Sequence, residues 1–132
     1  MIYVSSACVK NQYIWESVEE IALNGFQNIE LSGGTERDPK ILDKLLSLKQ
    51  KYSLNYRCHN YFPPPNDHFV MNLASDSDEI YKKTASVIQE SIELSKNLDS
   101  KEYGFHAGFL TDITTSEIGK SVQGRELFNR DD

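Results

Sequence analysis

Apolar and polar positions along the chain repeat with two periods, one near 3.6 residues and one of two residues, and they take turns. Residues 2–6 form a short β-type run. Over residues 15–24 the spacing is helical: Val18, Ile21 and Ala22 fall on one face, and Glu16, Glu19 and Glu20 fall on another that is expected to be solvated. Gly25 stands where a helix end favours φ > 0. Residues 28–32 read as a strand, stopped by Gly33-Gly34. Asp38-Pro39 is expected to open a second helix, Asp as its cap and Pro at its first position. Ile41, Leu42, Leu45, Leu46 and Leu48 form the apolar side of that helix, and Lys49 and Lys51 suit its C-terminal dipole.

Asn55-Tyr56-Arg57-Cys58-His59 reads as a buried third strand, and Pro63-Pro64-Pro65 soon after prevents its continuation. The connection over residues 60–75 is long for a structureless loop. It carries Tyr61, Phe62, Phe69, Val70 and Met71, so it is expected to pack down near the strand ends. Residues 76–98 read as a long helix opened by an Asp76/Glu79 capping box, with Ile80, Thr84, Val87, Ile88, Ser91 and Leu94 inward. Residues 102–107 read as a fourth strand. Residues 111–124 are polar and weakly patterned, and residues 125–132 look like an element beginning.

The order is β-α-β-α-β-α-β, which implies parallel strands joined by right-handed crossovers, in a barrel or a doubly wound sheet. Side chains of a strand alternate between faces. Ile29 and Leu31, Tyr56 and Cys58, Tyr103 and Phe105 fall on one face. Glu30, Arg57, His59 and His106 fall on the other. A sheet covered by helices on both sides is apolar on both faces. Unpaired charges are costly in a dry core, so the polar face fits the inside of a barrel near the strand ends, where ligands bind. Pairing of neighbouring strands in sequence order would bring Glu30 to Arg57.

Composition narrows the classes. The chain has 132 residues, 39% hydrophobic and 26% charged, as expected of one globular domain. Its net charge of −6 argues against a nucleic-acid backbone as the main partner. No run is apolar and long enough to cross a membrane, and no secretory leader is visible. The two cysteines, Cys8 and Cys58, imply no disulfide framework and are expected as small buried hydrophobes in a reducing, cytoplasmic setting.

The chemistry converges on the strand exits. His59 ends the third strand and His106 the fourth, and two such imidazoles are expected to share one site. They supply two metal ligands where catalytic zinc sites usually need three from the protein; two hydrogen-bonded rings at a polar rim are the plainer alternative. Glu30 is a possible acceptor for a substrate hydroxyl or a partner for Arg57, and Arg57 is suited to a phosphate or carboxylate. His68 is expected at the surface. Gly33-Gly34 lacks any phosphate-loop pattern.

These segments resemble the N-terminal half of the xylose-isomerase-like TIM barrels, the superfamily of sugar-phosphate isomerases and epimerases and AP-endonucleases. Gly25-Phe26-Gln27-Asn28-Ile29-Glu30-Leu31 is similar to the family's Gly-aromatic-x-x-apolar-Glu-apolar strand. His59-Asn60-Tyr61 resembles its third exit, although the prolines come later here. His106-Ala107-Gly108 resembles its His-Pro-Gly exit, with Ala107 where Pro is usual. The resemblance implies a parallel (βα)4 half-barrel over residues 1–132, with Glu30, Arg57, His59 and His106 toward substrate. It implies a sugar or sugar phosphate as substrate and a divalent metal, Mn, Mg or Zn. His59 and His106 would be metal ligands in the endonuclease branch and substrate contacts in many isomerases.

A whole TIM barrel takes ~250 residues, so the family's bases and most metal ligands have no counterpart here. The expectation is a sugar isomerase or epimerase whose metal-assisted proton transfer needs the intact barrel. An AP-endonuclease-like hydrolase and an inactive half-barrel are the alternatives. The half-barrel is expected either to lack its C-terminal half or to form a homo-oligomer.

Overall fold

The computed structural model describes residues 1–121 and 127–128. The element expected over residues 125–132 lies outside them, apart from Leu127 and Phe128. Four strands, β1 (Val4–Ser5), β2 (Asn28–Leu31), β3 (Asn55–His59) and β4 (Tyr103–Gly104), alternate with three helices, α1 (Ile14–Leu23), α2 (Ile41–Tyr52) and α3 (Asp78–Asn97). All neighbouring strands are parallel and their spatial order is β1-β2-β3-β4. A doubly wound sheet reverses strand order at a switch point. An unreversed order with right-handed crossovers puts every helix on one face, as in one half of a barrel.

Burial follows the strand parity. Ile29, Leu31, Tyr56 and Cys58 are buried and pack with Val18 and Ile21 of α1 and Leu45 and Leu48 of α2. Glu30, Arg57 and His59, on the opposite face, remain partly accessible. The fourth strand is shorter than the expected 102–107, because its partner β3 ends where His59 meets Gly104. β1 is cut short likewise: Ser6–Cys8 turn into a 3-10 helix, with Ser5 Oγ accepting from Ala7 N at 3.3 Å.

Helix α1 ends as anticipated, at Asn24 followed by Gly25 with φ 88°. Its acidic residues are not merely solvated. Glu16 accepts from Tyr13 N at 2.9 Å, Glu20 from Asn11 Nδ2 at 2.8 Å, and Glu19 from Lys51 Nζ at 2.9 Å and Tyr52 Oη at 3.0 Å. Glu19 thus ties α1 to α2. The second helix begins at Ile41 and not at Asp38-Pro39. Asp38 caps a preceding turn, accepting from Lys40 N at 2.8 Å, while its other oxygen accepts from Trp15 Nε1 at 2.9 Å. At α3 the cap is Ser77, not Asp76; its Oγ accepts from Ile80 N at 3.5 Å.

The inward face of α3 is made of small polar residues. Thr84, Ser91 and Ser95 are buried; Thr84 and Ser95 donate their hydroxyl protons to the carbonyls four residues earlier, and Ser91 Oγ lies within hydrogen-bond distance of the Val87 carbonyl. Two of them also reach the long loop: Thr84 Oγ1 accepts from Asn72 N at 3.0 Å, and Ser91 Oγ lies 2.6 Å from Phe62 O. Cys58 is buried as expected, whereas Cys8 is exposed at the end of the 3-10 turn.

Candidate active site

The loop after β3 does pack down. Phe62, Pro63, Val70 and Met71 are buried within it. Ser91 Oγ of α3 donates to Phe62 O at 2.6 Å, and Phe62 N donates to His59 O at 3.1 Å. The strand exit is thereby fixed from below. Tyr61 adopts φ 60° at the turn, and its hydroxyl accepts from Met71 N at 2.9 Å. Gly33 at the exit of β2 donates its N–H to Asn60 O at 3.2 Å. A Cβ at Gly33 would lie 2.5 Å from Tyr61 Cβ, so close approach of the two exits requires glycine there.

His59 and His106 meet at this rim. Their ring centroids are 5.8 Å apart with planes at 79°, an edge-to-face pair. Gly104, the register partner of His59, gives the ring room: a Cβ there would sit 3.1 Å from His59 Cδ2. His59 is half-buried and His106 is exposed. Together with Gly33, Tyr61, Met71 and Phe109 they line a cleft of ≈ 370 Å³. Asn60, 7% exposed, lines it too, and its Oδ1 is buried without a hydrogen-bond partner.

Glu30 and Arg57 lie one layer deeper. Arg57 donates from Nε to Glu30 Oε2 at 2.9 Å and from a terminal nitrogen to the same oxygen. This bond to Glu30 raises the guanidinium's pKa still further. Arg57 also lies 3.9 Å from Glu102 and its guanidinium carbon 4.9 Å from the centre of the Tyr3 ring. Glu30 Oε1 remains, 4.0 Å from His59 Nδ1. That is beyond hydrogen-bond reach but close enough for the carboxylate's charge to bear on the imidazole. Of the four residues expected in the site, the two histidines line the cleft, and Glu30 and Arg57 form a charge pair behind His59. His68 is exposed and lines a separate, adjoining cleft.

Two imidazoles do not complete a metal site. Among the described residues, no group of three or more His, Cys, Asp or Glu side chains is placed to hold a metal ion. Glu30, the carboxylate 4.0 Å from His59, is engaged by Arg57.

One organiser escaped the sequence reading. Asn72 is buried between the long loop and the exit of β4. Its Oδ1 accepts from Ala74 N at 3.0 Å and Phe109 N at 2.9 Å, and its Nδ2 donates to Asp112 at 2.8 Å. Gly108 leaves the space that Asn72 Oδ1 occupies. A single asparagine in the loop gives no local sign of this, since its partners lie up to 40 residues away.

No protein-family profile matches the chain. An uncharacterized protein of Methanocaldococcus jannaschii is 25% identical over 119 residues, which is 89% of this chain and 39% of that protein. The crystal structure of endonuclease IV from Thermus thermophilus superposes with a TM-score of 0.53 at 15% identity, over 80% of this chain and 39% of that one. The chain therefore spans about two-fifths of the length of both proteins. At such identity the likeness speaks for the fold alone: the described residues form an α/β unit with the four parallel strands and three helices of half a TIM barrel, and the solved neighbour is a TIM barrel.

Proposed function

We propose that the chain forms the N-terminal half of a sugar or sugar-phosphate isomerase or epimerase, and that its cleft binds the sugar. The observation that carries this reading is the edge-to-face pair of His59 and His106 at one rim, 5.8 Å apart, beside a cleft with an unpaired Asn60 acceptor in its wall. An imidazole can donate from one nitrogen and accept at the other. Two of them at right angles offer hydroxyls or a carbonyl several differently directed contacts. Glu30, fixed by Arg57, turns its second oxygen toward His59, 4.0 Å from Nδ1, and places negative charge behind the ring.

Proton transfer at carbon and a divalent ion belong to residues outside this half in the proposal. The imidazoles here orient the substrate. Completion of the barrel, by further strands or by a second copy, is part of the same proposal.

The solved neighbour is an endonuclease, which favours a second reading, phosphodiester cleavage. The net charge of −6 weighs against it. Imidazole NMR signals of the 132-residue chain separate the two. Titration with D-xylose and D-fructose 6-phosphate is expected to shift the His59 and His106 signals together. Shifts confined to titration with an abasic DNA duplex, or nicking of that duplex, would overturn the sugar reading.

A further inference from the structure

We infer that the histidine cleft is one of two adjoining compartments, and that together they take a substrate of two linked units, a disaccharide or other glycoside, in preference to a single sugar; this rests on the sugar reading of the same site. A second cleft of ≈ 420 Å³ lies beside the first, and Gly34, Tyr61 and Ile118 line both. Each is at the small end of the range for ligand sites, ~300–1,000 Å³. Tyr61 stands at the junction and is held at both ends, by the Met71 N–H on its hydroxyl and by the contact of its Cβ with Gly33. The junction is thus a fixed waist between two chambers.

The walls of the outer chamber differ from those of the inner one. Pro64, Pro65 and Phe69 provide flat apolar surface. Opposite chemistry comes from Gln12 and Glu36, which brace each other: Gln12 Nε2 donates to Glu36 Oε2 at 3.0 Å, and Glu36 N donates to Gln12 O at 2.8 Å. The brace uses one side-chain oxygen of Glu36 and leaves Oε1 and the Gln12 amide oxygen as acceptors. Thr35 Oγ1, in the same wall, is buried without a partner. A pyranose has apolar C–H faces and an equator of hydroxyl donors. A flat apolar wall with acceptors fixed at its edge is complementary to that shape. The inner chamber repeats the theme with its own unpaired acceptor, Asn60 Oδ1. Both chambers are thus furnished for a hydroxylated ring, and both open on the same tyrosine.

Calorimetric titration of the 132-residue chain with D-glucose, D-xylose, maltose and cellobiose tests this. At least one disaccharide is expected to bind about tenfold tighter or more than the better monosaccharide, one decade in Kd. Gln12→Ala and Phe69→Ala are expected to bring that ratio to within about twofold of one, with circular dichroism confirming that each variant is folded. Gln12→Met, which keeps the side-chain length and removes the acceptor, serves where Gln12→Ala does not fold. Monosaccharide binding with no gain for either disaccharide would overturn the two-chamber inference and leave the sugar reading standing. Binding of none of the four would overturn both.

Discussion

Arg57 and Glu30 are register partners across β2 and β3, and two guanidinium nitrogens of Arg57 converge on one carboxylate oxygen of Glu30. The pair sits on the polar face of the sheet, with side chains 38% and 17% exposed. Partial solvent access limits its worth. Arg57→Ala is expected to cost roughly 1–2 kcal/mol, part of it from leaving Glu30 half-buried and unpaired. A double-mutant cycle with Glu30→Gln in urea is expected to give a coupling near 1 kcal/mol. A coupling of zero would mean the contact contributes nothing to stability.

Gly33→Ala is expected to be more damaging than an exposed glycine replacement. The new methyl meets Tyr61 Cβ and a backbone oxygen, neither of which can swing away. Roughly 1–3 kcal/mol of stability should be lost, as in overpacked cores. Sugar-induced shifts of the His59 signal should weaken as well, because Tyr61 is displaced.

Asn72→Ala removes three side-chain hydrogen bonds, two of which join the long loop to the segment after β4 and one of which, from Ala74 N, holds the loop itself. A loss of roughly 2–3 kcal/mol is expected at about 1 kcal/mol each. Hydrogen exchange at the Phe109 amide should speed up far more than exchange in β2. Equal acceleration throughout the sheet would show a global effect and not a local release.

The alkaline limb of stability has a definite sign. Burial raises the pKa of the Cys58 thiol, and burial likewise raises those of Tyr56 and Tyr103. Groups raised on folding add stability that is whole below their unfolded pKa and is lost as pH rises toward the folded one. Stability should therefore fall above pH ~8.5, first through Cys58, and more steeply above ~10 through the tyrosines. Each group contributes at most about 1.4 kcal/mol per pH unit. Cys58→Ala should flatten the first part of that decline. At pH 8 the exposed Cys8 should react with a thiol reagent in the folded protein, while Cys58 reacts only on unfolding.

The half-barrel proposal also predicts association. Among the described residues no helix covers the polar face of the sheet, and Phe105, Phe109 and Leu110 near the fourth strand are 41–55% exposed. Sedimentation of the 132-residue chain is expected to show dimers or larger species at micromolar concentration. A monodisperse monomer at all concentrations would sink the idea that a second copy covers this face.

The faces of β2 and β3 were legible because each strand alternates strictly, and a period of two has only one way to bury Ile29, Leu31, Tyr56 and Cys58 together. From that alternation the partnership of Glu30 with Arg57 and the shared rim of His59 and His106 followed without coordinates. Other features left no local trace. Ser77 caps α3 although Asp76 stands beside it with an equally good side chain. Glu16, Glu19 and Glu20 look like a solvated stripe until α2 and the N-terminal loop are brought alongside them. The clefts depend on Tyr61 and Gly33, residues 28 positions apart whose contact is a matter of tertiary packing. Periodicity reports what faces inward; it does not report which loops touch.

The outermost strands, β1 and β4, have only two residues each. Edges so short present hardly any main-chain template for ribbon-by-ribbon growth, so fibril seeding is disfavoured although the sheet is open. Any protein that docks alongside must be recognised by the contours of its side chains, and a mismatched sequence would find no backbone ladder to rescue it.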